Sequence, residues 1–140
     1  MPMSHAFQKL LTSVAIVVVL LLVIFAVAVY ELLSRKADVS VVSPSGKYII
    51  ESVAGASLLT PRETVYLRFY ERENPAHVYR TPLFSELALD MRAREDEAEV
   101  GVVFIYLDKK ANTFSLASSR PDEHWMNRFI SNTSYMLMEN

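Results

Sequence analysis

The chain opens on an unbroken apolar run and then changes to short alternating segments. Residues 10–30 contain no charged side chain, no glycine and no proline, and residues 14–29 are apolar at every position. A helix rises about 1.5 Å per residue, so about 20 apolar residues cover the ~30 Å hydrocarbon layer of a bilayer. The run therefore predicts a helix that crosses one. A helix in a soluble core keeps a polar face, and residues 14–29 have none. They also lack Asp, Glu, Lys, Arg, His, Asn and Gln, the groups that ion and proton pathways need. No GxxxG spacing offers close helix contact. Tyr30 ends the run where an aromatic ring favours the interface. The segment reads as an anchor.

A cleaved signal peptide competes with that reading. Lys9 would be its basic start and Ala26-Val27-Ala28 its small-residue cleavage site. Against it stand the length of the run and a helix-favouring flank, residues 31–36, that carries Arg35 and Lys36. The absence of cysteine excludes an acylated lipoprotein and a disulfide framework. Charge by itself leans slightly against an exported C-terminal part, with Lys9 and the amino group on one side of the span and Arg35, Lys36 and Lys47 on the other, although long domains translocate despite such charges.

After the anchor the period changes. Val39, Val41 and Val42 begin a strand, and Ser43-Pro44-Ser45-Gly46 has proline and glycine where a type I turn prefers them. Residues 47–53 close the hairpin. Residues 64–71 alternate, with Val65, Leu67 and Phe69 on one face and Tyr66, Arg68 and Tyr70 on the other. Asn74-Pro75-Ala76, followed by His77, reads as a turn. Residues 83–91 read as a strand, although Leu83/Leu87 and Phe84/Ala88 also stand at helical spacing. Residues 100–107 are apolar on both faces and predict one central, doubly buried strand. Residues 113–117 return as a strand. Pro121, Asp122 and Glu123 then suit a helix start. Trp125/Phe129 and Met126/Ile130, each four apart, predict an apolar stripe on a helix ending near Asn132. Residues 135–138 are an apolar tail that reads as a last strand.

The expectation is α+β: a short tail (1–9), a transmembrane anchor (10–30), a juxtamembrane tether (31–38) and a β-rich domain (39–140). That domain would hold a mostly antiparallel sheet of about five or six strands with one C-terminal helix. Its expected core includes Val65, Leu67, Val102, Phe104 and Trp125. A hundred residues suffice for such a core. From Asp38 onward 11 Lys/Arg stand against 15 Asp/Glu, which excludes a basic nucleic-acid binder.

Candidate chemistry is sparse. The histidines are His5, His77 and His124, and no Ser or Cys sits in a nucleophile motif beside them. His124 beside Asp122 and Glu123, or the Glu86/Asp90 pair, would be the starting point for an enzyme, and no constellation supports one. No metal-ligand spacing or phosphate loop occurs, and no cofactor is expected. Glu95-Asp96-Glu97 reads as a solvated hairpin tip rather than a calcium loop. Asn132-Thr133-Ser134 matches a glycosylation sequon. Two stretches remain as candidate partner-binding surfaces. One is the loop with Ser57, Leu58, Leu59 and Arg62, whose adjacent leucines either tuck under the sheet, the favoured outcome, or face a partner. The other is the charged tip with Arg94, Glu95, Asp96 and Glu97.

The order of anchor, Val41-Val42-Ser43-Pro44-Ser45-Gly46-Lys47-Tyr48, Val65-Tyr66-Leu67-Arg68-Phe69-Tyr70 and Arg80-Thr81-Pro82-Leu83-Phe84 resembles small membrane-anchored bacterial immunity proteins of type VI secretion effectors. The similarity covers residues 39–107. Phe69-Tyr70 departs from the simpler aliphatic-aromatic pattern, and the Trp125 segment has no counterpart. The resemblance implies an inner-membrane, single-pass protein with a periplasmic C-terminal domain. Its partner would be a secreted toxin, neutralised by direct binding without catalytic residues. The alternative is a bitopic subunit of a bacterial envelope complex, with the anchor also making contacts.

Overall fold

The computed structural model describes residues 4–86, 89–117 and 121–138. They form two compact units, residues 1–34 and 35–140. The first unit is helix α1 (His5–Leu33), 29 residues long. Its mean hydropathy over the most apolar stretch is 3.2, long and apolar enough to cross a membrane. The Ser4 hydroxyl caps it by accepting from the Phe7 N–H at 3.2 Å. At the other end the Ser34 N–H donates to the Tyr30 carbonyl.

The second unit contains two five-stranded sheets. In the first, β1 (Val39–Val42), β2 (Tyr48–Ala54), β3 (Thr64–Glu71) and β4 (Asn74–Arg80) lie in order, all antiparallel, and β5 (Phe84–Ser85) pairs with the start of β3. In the second, the order runs β10 (Tyr135–Met138), β9 (Phe114–Ala117), β8 (Ile105–Asp108), β7 (Glu99–Val102), β6 (Ala93–Glu95). Among the described residues of this sheet, only the β10–β9 pairing is parallel. One helical turn, α2 (Asn127–Ile130), precedes β10. The α+β expectation holds, but the single sheet becomes two.

The alternation of β3 explains the layering. Val65, Leu67 and Phe69 face a core shared with Ile50, Phe84, Val100, Val102, Ile105, Leu107, Phe114 and Leu116. The two sheets thus close on one another through strands from both, and Phe69 meets Phe114 edge to face at 5.1 Å. Tyr66, on the other side of β3, is also fully buried. Burial raises its phenol above the usual value, and the Arg68, Arg80 and Arg35 charges oppose that shift. Beside it Arg68 pairs with Glu51 at 3.3 Å. The α2 segment is tied to the β4–β5 stretch: Arg80 Nε donates to the Ile130 carbonyl, and Asn127 Oδ1 accepts from the Leu83 N–H.

Several expectations are corrected. Residues 100–107 are a hairpin, not one strand: β7 and β8 turn through Val103 and Phe104, with Phe104 at φ 72°. Phe104 is therefore half exposed instead of core. The Asn74-Pro75-Ala76 turn is the start of β4. The reversal occurs one step earlier, at Arg72-Glu73, and an edge strand tolerates the proline. The 83–91 strand shrinks to Phe84–Ser85, and Leu87 and Ala88 lie outside the described residues. The helix expected from Pro121 to Asn132 is a single turn. Its stripe divides: Met126 and Ile130 are buried, while Trp125 and Phe129 are exposed, ring to ring at 6.2 Å.

Candidate functional site

The loop from β2 to β3 is built by short-range hydrogen bonds. Ser57 and Thr60 pair backbone to backbone, and their hydroxyls lie 2.7 Å apart. Thr60 Oγ1 also donates to the Gly55 carbonyl, and the Leu59 N–H donates to Ser57 Oγ. Gly55 is fixed by close approach, since a Cβ there would lie 2.5 Å from a Leu83 methyl. These bonds leave Leu58 at the apex, fully exposed at 105%. Leu59 is half-buried and Arg62 exposed. The expected tucking of both leucines is thus wrong for Leu58: the Ser57–Thr60 pairing closes a tight turn with Leu58 at its apex, in solvent.

The charged tip lies elsewhere. Asp96 Oδ1 accepts from the Ala98 and Glu99 N–H groups, which folds the β6–β7 reversal and holds the Asp96 carboxyl below its ordinary value. Glu95 turns inward. Its side chain is 6% exposed and meets Lys109 Nζ at 2.8 Å, while the Ser45 N–H donates to it at 2.8 Å. Burial pushes the Glu95 carboxyl up, but the bonds from Lys109, Ser45 and Ser43 outweigh it and bring it down to about 2. Lys109 also donates to the Asp96 carbonyl and sits over the Tyr48 ring, 5.8 Å from its centre. Of the four residues singled out, Arg94, Asp96 and Glu97 are exposed and Glu95 is structural. An open cleft of about 590 Å³ runs past this tip, lined by Pro44, Arg94, Glu95, Asp96, Glu99 and Tyr106.

The two surfaces are not brought together. The Glu95 contact with Ser45 puts the charged tip near the β1–β2 turn, at the start of β2. Leu58 follows the far end of that strand. Seven extended residues separate them, about 23 Å at ~3.3 Å each.

The remaining candidates have local roles. His124 Nδ1 accepts from the Met126 N–H at 3.1 Å and its ring stacks on Trp125, so that nitrogen serves the turn and does not face a carboxylate. His77 stacks on Tyr79. The sequon asparagine is engaged: Asn132 Oδ1 accepts from the Arg80 N–H and Nδ2 donates to the Val78 carbonyl. Among the described residues, no group of three or more His, Asp or Glu is placed to hold a metal ion. Asp90, of the Glu86/Asp90 pair, is bound to Arg92 on both oxygens.

The last strand is exposed, which its apolar sequence does not signal. Tyr135, Met136, Leu137 and Met138 are all exposed, between 41% and 59%. Their apolar character was visible; that they lie at a sheet edge was not. The chain matches no family model, and comparison with curated proteins and with solved structures gives no match.

Proposed function

We propose that this chain is a membrane-anchored binding protein of the bacterial inner membrane that neutralises a secreted antibacterial toxin by direct contact, with its β domain on the periplasmic side. The observation that carries the binding reading is Leu58. It is a fully exposed leucine held at the apex of a hydrogen-bonded turn. Binding residues concentrate on loops held by a rigid scaffold, and the hydrogen-bonded turn presents Leu58 in one fixed place. The open cleft beside Arg94, Asp96 and Glu99 supplies a second, polar contact surface. The hairpin and strand motifs that resemble immunity proteins lie in the same domain, and the toxin class rests on that resemblance. Helix α1 acts as the tether. The reading needs no catalytic residue and no cofactor.

The test is capture from detergent-solubilised membranes with the full chain as bait, beside the Leu58→Asp variant, paired with survival of cells exposed to the captured protein. Capture of one secreted protein, at least tenfold weaker with Leu58→Asp and lethal to cells lacking this chain, is the expected result. Capture of several resident membrane proteins, unaffected by Leu58→Asp, would instead identify a bitopic subunit of an envelope complex.

A further inference from the structure

Strand β10 is the outermost strand of its sheet and is apolar on both faces, with Tyr135 and Leu137 on one side and Met136 and Met138 on the other. Exposed edges are ordinarily blunted by lysine, proline or brevity, because their unpaired backbone groups template another strand. The opposite edge of this sheet is blunted: β6 is three residues long and carries Arg94 and Glu95. The four residues of β10 include no charge and no proline.

The register says what the open edge requires. Tyr135 stands opposite Phe114 in the parallel pair, and the Phe114 N–H donates to the Ser134 carbonyl at 2.9 Å. In a parallel ladder a residue bonds the two neighbours of its opposite number. Ser134 and Met136 therefore direct their backbone groups toward β9. Tyr135 and Leu137 direct their N–H and C=O groups outward, where no strand lies among the described residues. Water solvates such a row in the free domain, and another extended strand is the protein element that pairs with it.

We propose that a second copy of this chain covers this edge, the two β10 strands pairing antiparallel about a twofold axis at Met136. In that register Tyr135 faces Leu137 of the partner subunit, and Leu137 faces Tyr135 of the partner subunit. Both are hydrogen-bonded positions, so every outward N–H and C=O of the two residues is satisfied in one symmetric arrangement. Apolar side chains meet on both faces, and no charge within the four-residue strand opposes the contact. The pairing is isologous and closes after two copies, joining the sheets into one continuous ten-stranded sheet. Four residues a side cover only a few hundred Å², below the roughly 800 Å² per partner of a standard interface. A contact this small is weak between free copies, and anchoring, which confines the copies to one plane and raises their effective concentration, is what favours it. That last clause rests on the anchor reading of α1; the edge and register arguments do not.

The chain contains no cysteine, so single cysteines report cleanly. Full-length Met136→Cys, Tyr135→Cys and Leu58→Cys are expressed, and their isolated membranes are treated with a mild oxidant. At the axis two Met136 Cα atoms lie about 4.5 Å apart, as in a non-hydrogen-bonded pair, within disulfide reach. Two copies of Tyr135 lie two residues out of register, beyond the ~7 Å limit. Disulfide dimers at least tenfold faster for Met136→Cys than for the other two are expected. Equal rates at all three positions, no dimer, or a Met136→Cys adduct only with a foreign protein would overturn the proposal. Carbonate extraction of the same membranes reports separately on the anchor: release of the chain would sink that reading while leaving the cross-linking pattern interpretable.

Discussion

Glu95 shows how a residue that looks like surface charge becomes part of the frame. It sits in an acidic run, yet its carboxylate is closed in by Lys109 and by the Ser45 backbone. Hydrogen bonds to an ionised, shielded acceptor are stronger than neutral ones. They tie three turns together: β1–β2 through Ser45, β6–β7 through Glu95, and β8–β9 through Lys109. Because the folded carboxyl lies near 2 against an ordinary value of 4.5, the unfolded chain binds the proton first on acidification. Glu95 thus contributes its stability above about pH 4.5 and loses it progressively down to about pH 2. Asp96 and Asp108, held low by turn N–H groups, act in the same direction. Glu95→Gln is expected to lower stability at pH 7 by about 1–3 kcal/mol and to flatten the acid slope without removing it. Thermal unfolding of the full chain in detergent at pH 7, 4 and 3 checks both. An unchanged slope would show that Glu95 is not the group that titrates.

At the scale of elements, the β7–β8 hairpin is the most exacting piece of local geometry. Gly101 lies where a Cβ would come 2.0 Å from the Ile105 carbonyl oxygen and 2.8 Å from the Tyr106 Cα, both backbone atoms that cannot swing aside. Gly46, by contrast, has open space and a φ of 77°. Gly101→Ala is expected to cost about 3 kcal/mol or more, and Gly46→Ala about 1–2 kcal/mol from its left-handed backbone alone. Denaturant midpoints of the two variants decide it, and equal losses would mean that the hairpin is looser than its geometry. The same hairpin explains what the sequence concealed. Val103-Phe104 turns without Gly, Pro or Asn at its centre, and both arms are apolar, so two strands look like one. Where turn chemistry is explicit, as in Ser43-Pro44-Ser45-Gly46, or alternation is clean, as in Val65–Tyr70 of β3, the elements were legible. The Trp125 stripe was half legible. Its i, i+4 spacing is real, but the helix lasts one turn, so Met126 and Ile130 reach the interior while Trp125 and Phe129 remain outside. Of the candidate surfaces, the charged tip was legible as a tip. The outward turn of Leu58 was not, because it depends on the pairing of Ser57 with Thr60 across the loop.

At the scale of the whole molecule, two jobs fall to two separate parts of the chain. In the proposed function a helix long and apolar enough to cross a membrane holds position, and the two-sheet domain offers Leu58, the cleft beside Asp96 and the β10 edge. If that division is right, the identity of the anchor is immaterial to recognition so long as it is apolar and of the same length. The direct measurement is to replace residues 10–30 with an unrelated apolar helix of equal length and repeat capture from solubilised membranes. The account predicts that the same single secreted protein is retained at undiminished strength. Loss of that partner, with membrane proteins held only by the native helix, would contradict it and make the span a working contact surface.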